Sequence, residues 1–494
     1  MVLIPLHVQA EALRKHQGFY RSTYESVSLS SEEEMGFLGI TYLVENQWGL
    51  YYGLGVYGAI KGQRGGFFTG GVEMGYQQKI FDHFVADMGL FAGGGGGGAA
   101  AQGGGMMLRP HVALLYDARY FKAGLSYSRV DFLNGDIKSD QWALQVEMPF
   151  EMLTIDPQSE QAFQTYLKSY QGDEQLGWSR HYFSATFQQY FPRSGTKDTA
   201  NQSDLETISL LGFEYGAYMD AHCFGYLETA GAMGGGAGGY AEVLGGMGYE
   251  YAFIPTLGMK AKVALGSAGG GKVDTGGGFV YKAGIAAFYR PLSTLCLGVE
   301  AGYMKAPQGS FSANTMKMTL AYNMDFLGIK HDDESSNWTT QSEVGIWSIR
   351  VVNQTYLGSS TVRYNQDDQV VELVGLKIDR EIIGGFYISG QAYGAYAGDV
   401  GGYASGLMGV GYRTPKFFNF LALYGEALGG AGAGGGVATQ GGAIVQPMAG
   451  LDISVSQRLS LQVGGGMIKA LDGTLNTAVV DLGIAYRFGM IERH

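Results

Sequence analysis

Cysteine is nearly missing from this chain, with two residues in 494, Cys223 and Cys296. That excludes a disulfide-stapled scaffold, and no Cys-x-x-Cys pair exists to hold zinc or exchange electrons. Proline is also scarce, at 10 residues, so the chain is neither collagen-like nor a proline-rich disordered tract. The eight histidines are scattered, without the spacing of metal ligands. No apolar run reaches the roughly 18 residues of a membrane-crossing helix, so a membrane-spanning form of this chain could only be a closed β-barrel. No basic cluster offers to neutralise phosphates and the net charge is −12, which argues against a nucleic-acid partner.

Glycine, by contrast, is abundant, with 82 residues in 494, or about 17% against a usual share of roughly 7%. Tyrosine (33) and phenylalanine (26) are plentiful, so the chain has the side chains of a folded protein. The glycines recur in register. Segments Phe121–Phe150, Leu295–Met324 and Leu459–Phe488 align without a gap over thirty residues, each with a glycine at the same place (Gly135, Gly309, Gly473). Upstream of each lies a second signature: three glycines, four other residues, then two glycines and a Gly or Ala, starting at Gly96, Gly269 and Gly434. Further upstream is a Gly-Gly-aromatic strand ending at Tyr76, Tyr249 or Tyr412, and each copy opens on an aromatic strand, Phe19–Tyr24, Tyr182–Tyr190 or Ile346–Tyr356. Such coincidence points to an internal repeat.

Each copy holds eight strand candidates by two-residue alternation. In the last strand of the first copy, Trp142, Leu144, Val146, Met148 and Phe150 share one face, and Gln141, Ala143, Gln145 and Glu147 the other. The second copy sets Met316, Met318, Leu320, Tyr322 and Met324 against Lys317, Thr319, Ala321 and Asn323. The third sets Ala478, Val480, Leu482, Ile484, Tyr486 and Phe488 against Asp481, Gly483, Ala485 and Arg487. One apolar face ending in aromatics and one small or charged face is the pattern of a lipid-facing strand, although a soluble sandwich alternates too. Loop lengths sharpen the reading. Turns after even strands are short, as at Ser456–Arg458, whereas loops after the first strand of each copy are long and polar (Ser28–Met35, Pro192–Glu206, Gly358–Gln369).

On these residues the chain resembles Gram-negative outer-membrane β-barrels in general. In that class the last strand commonly carries a Gly-x-x-aromatic-x-Phe assembly signal, and Gly483, Tyr486 and Phe488 match it. The equivalents of Gly483 are Gln145 and Thr319, so only the last copy has the whole signal. The six residues after Phe488 depart from the usual aromatic C-terminus. The resemblance implies an outer-membrane location, contact with outer-membrane lipid and with the barrel-assembly machinery, and no cofactor.

The expected fold is therefore all-β, an antiparallel transmembrane β-barrel built from three eight-stranded repeats. The expected organisation is a signal-peptide remnant and N-terminal segment over 1–16, repeats over 17–150, 179–324 and 342–488, linkers over 151–178 and 325–341, and a tail over 489–494. The three units could join into one wall of about 24 strands or stand as three tandem barrels. The single terminal signal favours one wall. Long linkers, and apolar residues such as Leu244 and Leu407 on the presumed inner face, favour three. The sequence reading takes one wall, with three barrels as its alternative. The first linker is expected to hold a helix, capped by Asp156 with Pro157 in the first turn, ended by Gly172, and carrying Phe163, Tyr166, Leu167 and Tyr170 on one face.

Candidate chemistry is thin. The glycines at 93–98 lack the Lys-Ser/Thr and βαβ context of a phosphate loop, and read better as a hairpin whose missing side chains allow sharp coiling or close approach by neighbouring aromatics. His83, His111 and His181 could serve a hydrolase only by converging with a serine and a carboxylate, which spacing alone does not show; no enzyme is expected. The expected function is a porin-like channel or transporter for small solutes, with a non-transporting surface, structural or adhesive protein as the alternative and an outer-membrane enzyme as the second alternative. For a channel, the candidate lumen-lining charges are Glu73, Asp87, Glu147, Lys260, Lys262, Lys317, Asp481 and Arg487.

Overall fold

The computed structural model describes residues 13–29, 33–118, 120–155, 176–196, 198–199, 204–329, 342–366 and 368–493. The signal-peptide remnant over 1–10 and the linker helix over 156–172 lie outside these residues. The first eight strands are β1 (Leu13–Ser28), β2 (Glu34–Glu45), β3 (Leu50–Lys61), β4 (Phe68–Phe81), β5 (Phe84–Gly96), β6 (Met107–Asp117), β7 (Lys122–Phe132) and β8 (Lys138–Ile155). Then come β9 (Leu176–Pro192), β10 (Ile208–Tyr218), β11 (Cys223–Gly234), β12 (Ala241–Ile254), β13 (Leu257–Gly269), β14 (Phe279–Tyr289), β15 (Leu295–Lys305) and β16 (Ser312–Ile329). The last eight are β17 (Glu343–Tyr356), β18 (Val371–Ile383), β19 (Phe386–Ala397), β20 (Ala404–Arg413), β21 (Leu421–Ala433), β22 (Ala443–Ser454), β23 (Leu459–Ala470) and β24 (Asn476–Arg493).

Every pairing between consecutive strands within a group of eight is antiparallel, and each group closes on itself. β1 meets β8 over 13 residue pairs (Tyr20↔Met148), β9 meets β16 over 17 (Phe183↔Tyr322), and β17 meets β24 over 14 (Trp347↔Phe488). Between groups, β24 shares one pair with β8 and two with β16. The wall of about 24 strands is therefore corrected: the chain closes three barrels of eight strands. Two physical terms favour this. Eight strands closing on themselves pair every wall N–H and C=O within about 150 residues of chain, a smaller loop than a single ring would require. An eight-stranded interior is also just wide enough for side chains to fill, which is what the inward Leu244 and Leu407 do: both are buried in barrel cores.

The expected faces are the observed ones. Leu144, Met318 and Leu482 point outward at 59%, 51% and 54% exposure, whereas Gln145, Lys317 and Asp481 point inward and are buried. Strand ends needed correction. β8, β16 and β24 continue to Ile155, Ile329 and Arg493, five residues past the expected ends at Phe150, Met324 and Phe488. The six residues expected as a tail are mostly strand, paired to β17 as far as Glu343↔Glu492. These extensions fasten the barrels together at the rim of short turns. Leu153, Ile155, Leu176, Trp178, Leu327 and Ile491 form one apolar cluster there, and Arg493 pairs with Asp325 at 2.6 Å.

Candidate functional site: three filled lumens and a glycine ring

Alternation puts every second side chain of each strand inside a barrel, so an isolated charge at inward parity has no water to face and must find a partner there. In the first barrel Arg21 is that centre. Its guanidinium lies 2.5 Å from Glu73, 3.0 Å from Asp87 and 2.8 Å from Glu147, all with fully buried side chains. His111 Nε2 sits 3.0 Å from the same Asp87. One layer towards the loops, Arg109 grips Glu25 at 2.7 Å, and Ser128 and Gln141 donate to the same carboxylate. In the second barrel Lys317 touches Glu214 and Glu228, each at 2.8 Å, and Glu300 at 3.1 Å. Lys262 shares Glu214 at 2.6 Å, and Lys282 holds Glu228 at 2.5 Å. In the third, Arg350 bridges Asp379 (2.7 Å) and Glu426 (2.6 Å), and Lys377 holds Asp481 at 2.6 Å.

All eight candidate lumen residues point inward, but into these networks. Glu73, Asp87 and Glu147 meet on Arg21; Lys262 and Lys317 meet on Glu214; Asp481 pairs with Lys377. Lys260 and Arg487 lie nearer the turn rim, on Glu250 (3.3 Å) and Asp452 (3.5 Å). Sequence reading passed over the hubs Arg21, Arg109, Glu214, Glu228, Arg350, Lys377 and Glu426. Their signal was present, since each is a charge at inward parity, as Arg350 is between Ile349 and Val351. A cavity of about 210 Å³ opens at the turn-rim mouth of the first barrel, lined by Gln17, Phe19, Glu45, Lys122 and Glu147 among others. A second, of about 30 Å³, lies beside Glu214 and Lys262.

The three histidines do not converge. His83 lies beside the Tyr116 ring, His111 lies within the Arg21 network, and His181 Nδ1 is 2.9 Å from the Tyr215 hydroxyl. Among the described residues no cluster of His, Cys, Asp and Glu could hold a metal ion. Cys223 and Cys296 are free thiols. Cys223 starts β11 and Cys296 is the second residue of β15, four strands apart in a ring of eight, which puts them on opposite sides of the second barrel.

The glycine signatures form the contact between barrels at the loop rim. Gly65 N–H donates to Gly276 O at 2.9 Å, from the first barrel to the second. Gly402 N–H donates to Gly95 O at 3.2 Å, and Gln102 Nε2 to Gly401 O at 2.9 Å, between the third and the first. A Cβ on Gly66, Gly238 or Gly401 would overlap backbone atoms of Gly270, Gln440 or Gly103 respectively. The pattern is cyclic: the Gly-Gly pair before each fourth strand docks on the glycine block of the next barrel, one on two, two on three, three on one. A head-to-tail contact that closes after three steps is a ring. The sharp coiling expected of the glycines at 93–98 is present, since Gly95 to Gly98 all take positive φ; the close approach is by backbone and not by aromatics, as at Gly94, which faces the backbone of Gly394 and Ala395.

No known family matches the chain, and no curated protein is similar to it. Among solved structures it is similar to a ferric enterobactin receptor from Pseudomonas aeruginosa, at 10% identity, with 96% of this chain and 81% of that one covered and a TM-score of 0.28. It is also similar to the outer membrane protein OpdK of the same organism (9%, 96% and 98% covered, 0.23) and to OccAB3 of Acinetobacter baumannii (9%, 96% and 99%, 0.22). Likeness at this level assigns no function to the chain.

Proposed function

We propose that this is a bacterial outer-membrane protein made of three copies of one eight-stranded unit, which serves as a closed membrane body carrying a surface of loops. It is a structural or adhesive protein and not an enzyme. The apolar, outward-facing side chains, backed by walls in which the backbone is paired strand to strand, support the membrane reading. Short turns on the rim that carries the chain ends, and long loops on the other, support an orientation with the loops at the cell surface. Barrel-assembly machinery would read Gly483, Tyr486 and Phe488 before folding, since Phe488 ends up packed on Trp347 and Met324.

The observation that carries the function is the filling of all three lumens by buried ion pairs. Solute passage through a barrel would have to part Arg21 from three carboxylates, Lys317 from three, or Arg350 from two. A porin-like channel is the second reading, and the charged vestibule of about 210 Å³ in the first barrel favours that barrel as its entrance. Recording from the full chain in planar bilayers separates the two. The expected trace shows insertion without unitary current steps; stable open steps carried by the native protein would sink the closed-body reading.

A further inference from the structure

At the loop end of the second barrel, three neighbouring strands bring two cations together on the outward face. Lys305 ends β15 and pairs with Ser312 at the start of β16. Arg193 follows β9, and its N–H donates to Ser312 O at 2.9 Å. The Arg193 guanidinium reaches back across β16 to lie 5.7 Å from the ring centre of Tyr303, which is two residues from Lys305 on the same face. Both cations are exposed, and among the described residues neither is within ion-pair distance of a carboxylate. Asn314 lies just below them, opposite Tyr303 on one side and Phe191 on the other. Beneath runs an apolar strip of Met316, Met318, Leu320 and Phe187, each about 40–50% exposed.

The other two barrels lack this pair. In the first, the position of Lys305 is taken by Asp131, and Arg129 is held by Asp131 (3.7 Å) and Asp140 (3.6 Å). In the third, Lys469 keeps the lysine, but the first strand brings no cation there: Tyr356↔Val479 corresponds to Tyr190↔Thr315, so Ser359 stands where the second barrel has Arg193. Two unneutralised cations and an amide, placed above an apolar strip at the end of a strand, match the chemistry of a lipid: a phosphate over acyl chains.

We infer that Arg193 and Lys305 bind the phosphate of a membrane lipid headgroup, with Asn314 as an added donor and the acyl chains along Met316, Met318 and Phe187. This rests on the membrane reading of the outward face. The test uses the full chain, reconstituted in phosphatidylcholine bilayers doped with phosphatidic acid, then extracted in mild detergent and weighed by native mass spectrometry. The native protein should retain phosphatidic acid over phosphatidylcholine, and R193Q/K305Q should retain roughly tenfold less or lower. Lys469→Gln should behave as the native protein does. Equal retention by R193Q/K305Q overturns the site, as does displacement of the lipid by inorganic phosphate alone, which would mark a free-anion site. Failure of the native chain to enter the bilayer, seen as no gel-mobility shift on boiling, overturns the membrane reading and the site with it; insertion with equal retention overturns the site only.

Discussion

At the scale of single residues, the lumens show why a buried charge is better judged by its neighbours than by its type. Arg21 neutralises part of a set of three carboxylates that could not share a dry interior without it. Replacing it by methionine keeps most of the volume but strands that set, and stranding buried charge costs about 3–5 kcal/mol. Arg21→Met should therefore lower the urea midpoint at which the first barrel loses its fast-migrating gel form. Arg129→Met, which removes the two outer contacts of an exposed cation, should change it little, within roughly 0.5 kcal/mol. An equal effect of both substitutions would show that the Arg21 network does not hold the barrel. Inward parity made the charges of this network legible in the sequence. Their meeting was not, because Arg21, Glu73, Asp87 and Glu147 come from β1, β4, β5 and β8, and only barrel closure brings the last beside the first.

At the scale of elements, strands and loops divide the work of stability. Each barrel wall is satisfied by its own backbone pairing, so the contacts between barrels can be lost without opening one. Gly401→Leu places a side chain against Gly103 O, where no flexible atom can give way. The expected result is faster amide exchange over the 94–105 and 394–402 backbone, with the heat-modifiable gel shift retained. Gly465→Leu, at a glycine whose added Cβ would meet nothing closer than 3.8 Å, should leave exchange in those segments unchanged. Slow exchange in Gly401→Leu would contradict the ring. The glycine blocks were the plainest feature of the sequence; their sharp coiling was legible there, but not which neighbour comes close. A missing side chain signals that something approaches closely, but does not say whether a ring or another backbone does.

At the scale of the whole molecule, three closed barrels imply independence. The third barrel, expressed as residues 335–494, should fold in detergent into a heat-modifiable species with slow exchange throughout its strands. Aggregation without a gel shift would mean that its wall needs its neighbours. The same fragment carries both halves of the glycine contact, the pair Gly401–Gly402 and the block from Gly434, so it can also associate through its loop rim. By itself the sequence determined the strand count, the inward and outward faces and the two unlike rims, because alternation and turn chemistry act over a few residues. Only the tertiary structure decided that the chain closes three times instead of once. Strand β9 could in principle pair with β8 or with β16, both similar in pattern and length, and local preference does not choose between such partners. The choice is made by what the closed ring must contain: a narrow interior of apolar side chains and ion pairs fills an eight-stranded barrel and would line a far wider ring with groups that need each other more than water.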